Sequence, residues 1–188
     1  DGEDIIALGN FATTVQGAGE EDSITGGTAA DNIQGDAGND TLAGGNGNDT
    51  ILGGTGNDLI TPGTGTKISV DGGDGNDTVN LGSSLSTNDT VVGGAGTDVL
   101  AISTSAATAT SSQGVSGFET IRFDTGEIDQ DMVQFTANTG FTKIVNNIAG
   151  SNLISNVGGT IDTLAALDGS TTLTFSRLLD NKSNALTV

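Results

Sequence analysis

Branched aliphatic residues recur at every ninth position through the first third of the chain: Ile6, Val15, Ile24, Ile33, Leu42, Ile51 and Ile60. Glycine and polar residues fill the intervals, and a fixed period of this kind is the signature of a repeat architecture. Three residues of each unit, such as Thr50-Ile51-Leu52, suffice for one short strand whose middle residue points inward. The other six make a tight turn. All seven apolar positions hold this register without a break.

The register is clearest in GDAGNDTLA, GGNGNDTIL and GGTGNDLIT, which run without a spacer from residue 35 to 61. Glycine holds the first place (Gly35, Gly44, Gly53), the second (Gly45 and Gly54, with Asp36 once) and the fourth (Gly38, Gly47, Gly56). Asparagine follows at the fifth place and aspartate at the sixth, as Asp40, Asp49 and Asp58. Glycine enters the φ > 0 region without steric cost, and Asn tolerates it better than most residues. Coils stacked as parallel strands lie about 4.8 Å apart, which sets one aspartate over another. At an effective dielectric of about 20, two such carboxylates repel by roughly 3 to 4 kcal/mol. Repetition therefore calls for a cation. Carboxylates and turned-in carbonyls are hard oxygen donors, and a flexible cage of them suits Ca²⁺ better than the smaller, water-retaining Mg²⁺.

At these residues the chain resembles the calcium-binding nonapeptide repeat of repeats-in-toxin (RTX) proteins. The resemblance implies an all-β fold, a parallel β-roll in which two repeats make one coil, with each ion between loops two repeats apart on one edge; the apolar positions then divide into two columns, Ile6, Ile24, Leu42 and Ile60 on one side and Val15, Ile33 and Ile51 on the other. It implies Ca²⁺ as cofactor, about four to six ions, with Asp22, Asp31, Asp40, Asp49, Asp58, Asp77 and Asp98 and the loop glycines as ligands. Those glycines are Gly35, Gly38, Gly44, Gly45, Gly47, Gly53, Gly54 and Gly56, with Gly72, Gly73 and Gly75 from the later copy GGDGNDTVN. The expected pairs are Asp4/Asp22, Asp22/Asp40, Asp40/Asp58, Asp58/Asp77 and Asp77/Asp98 on one edge and Asp31/Asp49 on the other. Thr13 stands where a carboxylate is missing, so no ion is expected there, and GGTAAD before Asp31 lacks the fourth-place glycine.

Insertions interrupt the period after residue 61. Nine residues beyond Asp58 stands Lys67, and its ammonium is expected to neutralise Asp49 and end the ion row on that edge. The frame resumes with Asp77 and Val79, again with Asp89 and Val91, and closes with Asp98 and Leu100. Asp89 fits an Asx-turn as well as a ligand.

Composition changes what this pattern means. Lys and Arg number 5 against 24 Asp and Glu, a net charge of −19. That excludes nucleic acid and anionic membrane as natural partners and makes calcium the natural counter-charge. With no Cys and no His, the usual nucleophile–base pairs and imidazole or thiolate metal sites are absent. What remains for catalysis is carboxylate and arginine chemistry at Glu119, Asp124, Arg122 or Arg177, where a surface ion pair is the commoner role. The expectation is a protein that is not an enzyme. No membrane-spanning run is present, and a start at Asp1 is expected to mark an excerpt of something longer.

From residue 102 the chain turns to Ser, Thr and Ala. Apolar alternation predicts strands in FETIRFD (118–124), GFTKIVNN (140–147), STTLTFSRLL (170–179) and NALTV (184–188), while IDTLAAL (161–167) reads as a helical turn. Phe118 and Phe141 are 23 residues apart, near one coil of a larger β-helix. The expected division is an RTX roll over 1–101 and a β-helix-like or β-rich continuation without bound ions over 102–188, a separate β-sandwich being the alternative. RTX repeats running into GVSGFETIRFD and Ser/Thr-rich strands resemble bacterial surface-layer proteins of the RTX type. That implies an extracellular, cell-surface structural role, export by a type I system, self-association through calcium in a lattice, and a cell-surface glycan as partner of segments elsewhere. An RTX adhesin module and the export module of a secreted enzyme are the alternatives.

Overall fold

Each ninth-residue aliphatic is inward-facing and stacks on its counterpart one coil away. The computed structural model describes residues 2–82, 85–103, 114–125, 129–131, 140–146, 152–155, 163–166 and 173–176. All of its strands are paired in parallel, and no α-helix occurs among the described residues. The molecule is a parallel β-solenoid, as the repeat pattern predicts.

Two sheets face each other across the apolar columns. In the larger, nine strands follow one another in the alternating order of the chain, beginning with Ile5–Ala7, Ser23–Thr25, Thr41–Ala43 and Leu59–Thr61. Its central column pairs Ile6 with Ile24, Ile24 with Leu42, Leu42 with Ile60, Ile60 with Val79 and Val79 with Leu100. The opposite, six-stranded sheet pairs Val15 with Ile33, Ile33 with Ile51, Ile51 with Val70, Val70 with Val91 and Val91 with Val115. From Ile24 to Leu100 the column residues are almost wholly removed from water. A strand three to six residues long cannot hold itself together; its hydrogen bonds and buried surface come from the coils above and below.

The insertions leave both columns intact, but one of them falls where the nine-residue count does not place it. Ile68, not Lys67, takes the aspartate's place in its coil: its N–H donates to Asp89 Oδ1 (2.7 Å), and the inward Val70 lies two residues on. Ile68 is buried and Lys67 exposed, with the Lys67 N–H given to Asn48 Oδ1 (3.1 Å). No ion pair joins Lys67 to Asp49 among the described residues. An isoleucine therefore interrupts the carboxylate row on this edge, and the neutralising role expected of Lys67 falls away.

Beyond the repeats the larger sheet runs on without a break. Ile121 continues the column above Leu100 and Ile144 above Ile121, and the backbone of Leu164 pairs with that of Ile144. The 23-residue step expected from the phenylalanines is the register of Thr120 on Lys143. Thr163–Ala166 is a strand paired with Lys143–Asn146, not the helical turn its short apolar run suggests. A third sheet of three parallel strands comprises Asp129–Asp131, Asn152–Ser155 and Leu173–Ser176. The strand expected at 184–188, and Arg177, lie outside the described residues.

Candidate metal sites

The parallel register brings the sixth-place aspartates of alternate repeats into file. Along one edge the N–H of Asp4 donates to Asp22 Oδ1, that of Asp22 to Asp40, Asp40 to Asp58, Asp58 to Asp77 and Asp77 to Asp98, each at 2.8 Å. Along the other, Thr13 donates to Asp31 (2.9 Å) and Asp31 to Asp49 (2.8 Å). Every pair expected from the nonapeptide frame is thus side by side in the fold. One oxygen of each acceptor carboxylate is used in this way.

The second oxygen separates the aspartates into two kinds. In Asp22, Asp40, Asp49, Asp58, Asp77 and Asp98 it is buried and without a hydrogen-bond partner. Orphaned buried carboxylate oxygens are costly, and one in every coil calls for an explanation. In Asp31 and Asp89 it is satisfied locally, by the N–H of Gly27 (3.0 Å) and of Ser86 (2.6 Å). Asp89 is thereby a loop-closing Asx residue, and Asp31 has less to offer a ligand.

Beside each orphaned oxygen a backbone carbonyl converges from the next coil of the same edge. A methyl group placed on first-place Gly35 would meet both Asp40 Oδ2 and the carbonyl of Gly53, 2.6 Å away. The same two contacts, both under 3.0 Å, await one on Gly17, Gly44, Gly53, Gly72 or Gly93, with the carbonyls of Gly35, Pro62, Gly72, Gly93 and Gly117 in turn. The first-place glycines keep this cradle open. Second-place Gly45, Gly54 and Gly73 and fourth-place Gly38, Gly47, Gly56 and Gly75 turn with positive φ and pass against carbonyls of the preceding coil. The nonapeptide frame points to most of these residues. It does not reveal Pro62, whose carbonyl stands where a glycine's would, nor Gly117 and Glu119, which lie past the last repeat.

Burial raises the carboxyl pKa of Asp40, Asp49, Asp58, Asp77 and Asp98 above the usual range, that of Asp58 to about 6. The backbone N–H each accepts works against the rise, and the neighbouring carboxylates add to it. Loss of water thus outweighs the carboxylate repulsion that the stacking alone suggests. Among the described residues no three or more acidic side chains come together closely enough to hold a metal ion by themselves. Each cradle offers one carboxylate oxygen and one carbonyl, both hard donors of the kind Ca²⁺ takes.

Of the residues considered for carboxylate and arginine chemistry, Glu119, Arg122 and Asp124 lie among the described residues. Arg122 Nε donates to both oxygens of Asp124 (2.8 and 3.0 Å), and Glu119 Oε2 accepts the Asp98 N–H (2.8 Å).

A solenoid with files of buried, half-satisfied carboxylates facing carbonyl cradles has the donor pattern of a calcium-binding repeat protein. The family model of the RTX calcium-binding nonapeptide repeat matches four times, at residues 7–42, 25–60, 69–84 and 85–101. Residues 7–60 and 69–101 thus carry RTX calcium-binding nonapeptide repeats. No curated protein and no solved structure matches the chain.

Proposed function

We propose that the protein is an extracellular structural element whose roll folds when calcium fills the cradles, and that the stiffened solenoid supports a surface-layer lattice. The observation that carries this reading is the set of six buried aspartate oxygens with no partner. Asp22, Asp40, Asp49, Asp58, Asp77 and Asp98 are the principal side-chain ligands, Asp31 a lesser one, and the first-place glycines hold the space for the ion. Bound Ca²⁺ supplies the positive charge; the chain supplies oriented oxygens and excludes water from them.

Where free calcium is scarce, the desolvated carboxylates and the entropy of the glycine loops oppose folding. At the roughly 10⁻⁴ to 10⁻³ M affinity of extracellular calcium modules, ions outside a cell reverse the balance. The division into an ion-binding part, 1–101, and a continuation, 102–188, belongs to this proposal. The lattice role is supported by the unbroken sheet that leads from the repeats into the Ser/Thr-rich strands, as a load-bearing rod requires.

Far-UV circular dichroism of chelated protein titrated with Ca²⁺, with Mg²⁺ as control, tests the folding switch. A cooperative coil-to-β transition with Ca²⁺ alone is expected, and full β-structure already present in chelator overturns it. Electron microscopy of the calcium-loaded protein tests the lattice: ordered sheets are expected, and dispersed rods favour an adhesin.

A further inference from the structure

The file of carboxylates on the Asp22 edge does not stop at Asp98. Asp98 keeps one buried, unpartnered oxygen, although no further nonapeptide follows it. Its N–H donates to Glu119 Oε2 at 2.8 Å, the bond that every earlier aspartate of the file makes to its successor. The N–H of Thr120 in turn donates to the Asp98 carbonyl (2.9 Å), as that of Val99 does to Asp77 (2.8 Å).

The cradle is completed by a different loop. Val115 and Ser116 pair with Val91 and Val92, so the next residue, Gly117, falls in register with Gly93. A methyl group on Gly93 would meet both the Gly117 carbonyl and Asp98 Oδ2, 2.9 Å away. In the repeats four residues separate this glycine from the aspartate, as in Gly93 to Asp98; between Gly117 and Glu119 there is only Phe118. The loop is shorter by three residues, and the acidic side chain is longer by one methylene. Phe118 is fully buried in the core.

We infer that the last cradle of the row, that of Asp98 Oδ2 and the Gly117 carbonyl, holds its cation with a ligand from beyond the repeats, the Glu119 carboxylate. It takes the same hard divalent ion as the repeats and rests on the calcium reading of those repeats. Its consequence is regulatory: calcium fastens the continuation from Thr120 onward to the roll, so that order spreads from one to the other through a bound ion as well as through the sheet.

The test is amide hydrogen exchange and ion counting by native mass spectrometry on the full chain, with and without Ca²⁺, in the wild type and in Glu119→Gln. The amide of the variant still accepts the Asp98 N–H but lacks the charge, so a merely structural role for Glu119 leaves the ion count unchanged. The expected result is one ion fewer in the variant and loss of the calcium-induced protection at residues 119–123, while 41–43 and 50–52 keep theirs. Equal ion numbers and equal protection overturn the inference. The wild type alone also decides: protection that rises with calcium through the repeats but not at 119–123 overturns it with no variant needed. A wild type that binds no calcium overturns the reading of the repeats themselves and this one with it.

Discussion

First-place glycines are required here for the space they leave rather than for unusual backbone angles. Gly53 has no positive φ, yet a methyl group on it would press on the Gly72 carbonyl and on Asp58 Oδ2 at once. Backbone cannot retreat from backbone within a stacked coil, so Gly53→Ala costs on the order of 1–3 kcal/mol and raises the calcium concentration at mid-folding. Gly9→Ala, where the same group enters open space, leaves the midpoint in place; titrations of the two variants by circular dichroism make the comparison. The aspartates divide in the same way. Asp40→Ala with Asp58→Ala removes two orphaned oxygens and raises the midpoint, with two ions lost from the count. Asp89→Asn disturbs a carboxylate whose oxygens already accept Ile68 and Ser86 N–H groups; it costs about 1 kcal/mol and no ion. Unchanged midpoints in the double variant would remove Asp40 and Asp58 from the ligand set.

Short strands read from a nine-residue period are reliable where the period is unbroken. The columns from Ile6 to Ile60 and the aspartate files were legible because one residue of slip would turn an apolar side chain out of the core. Where residues are inserted, the count no longer says which loop position absorbs them. Nine residues past Asp58 comes Lys67, but the coil places the extra residue before Ile68, because burying Ile68 and Val70 together fixes the strand register. Thr163–Ala166 shows the complementary failure: a run of four residues carries too little period to separate a strand from a helical turn, and pairing with Lys143–Asn146 decides it. Glu119 was hidden by its apolar neighbours Phe118 and Ile121, which read as strand alternation rather than as a ligand file. At this scale stability follows position in the column. Ile51→Ala, in the middle of its column and fully buried, should cost about 2–5 kcal/mol in saturating calcium. Val15→Ala, half-buried at the first coil of the same column, should cost less than about 1 kcal/mol, measured by urea unfolding with calcium held constant.

For the molecule as a whole, protons and calcium are alternative answers to the same buried charge, and they make opposite predictions about pH. In the calcium-free roll the carboxyl groups of Asp40, Asp49, Asp58, Asp77 and Asp98 have pKa values raised by burial, so the folded state holds protons that the unfolded chain releases. A raised acid contributes stability that is fully present below its unfolded pKa, and this contribution is lost as pH rises through the folded value, which for Asp58 is about 6. Acidifying chelated protein from about pH 7 to about pH 5 therefore increases its β-structure. With calcium present the same protons compete for the ligand oxygens, and acidification raises the midpoint instead. Circular dichroism at the two pH values, in chelator and across a calcium titration, reads both signs. If β-structure in chelator falls on acidification, the aspartates are not desolvated in the free roll and the fold without calcium is looser than the stacked coils described above. If it rises while the calcium midpoint also rises, one set of oxygens serves both ligands, and the loss of water from those buried carboxylates is what holds the chain open until either arrives.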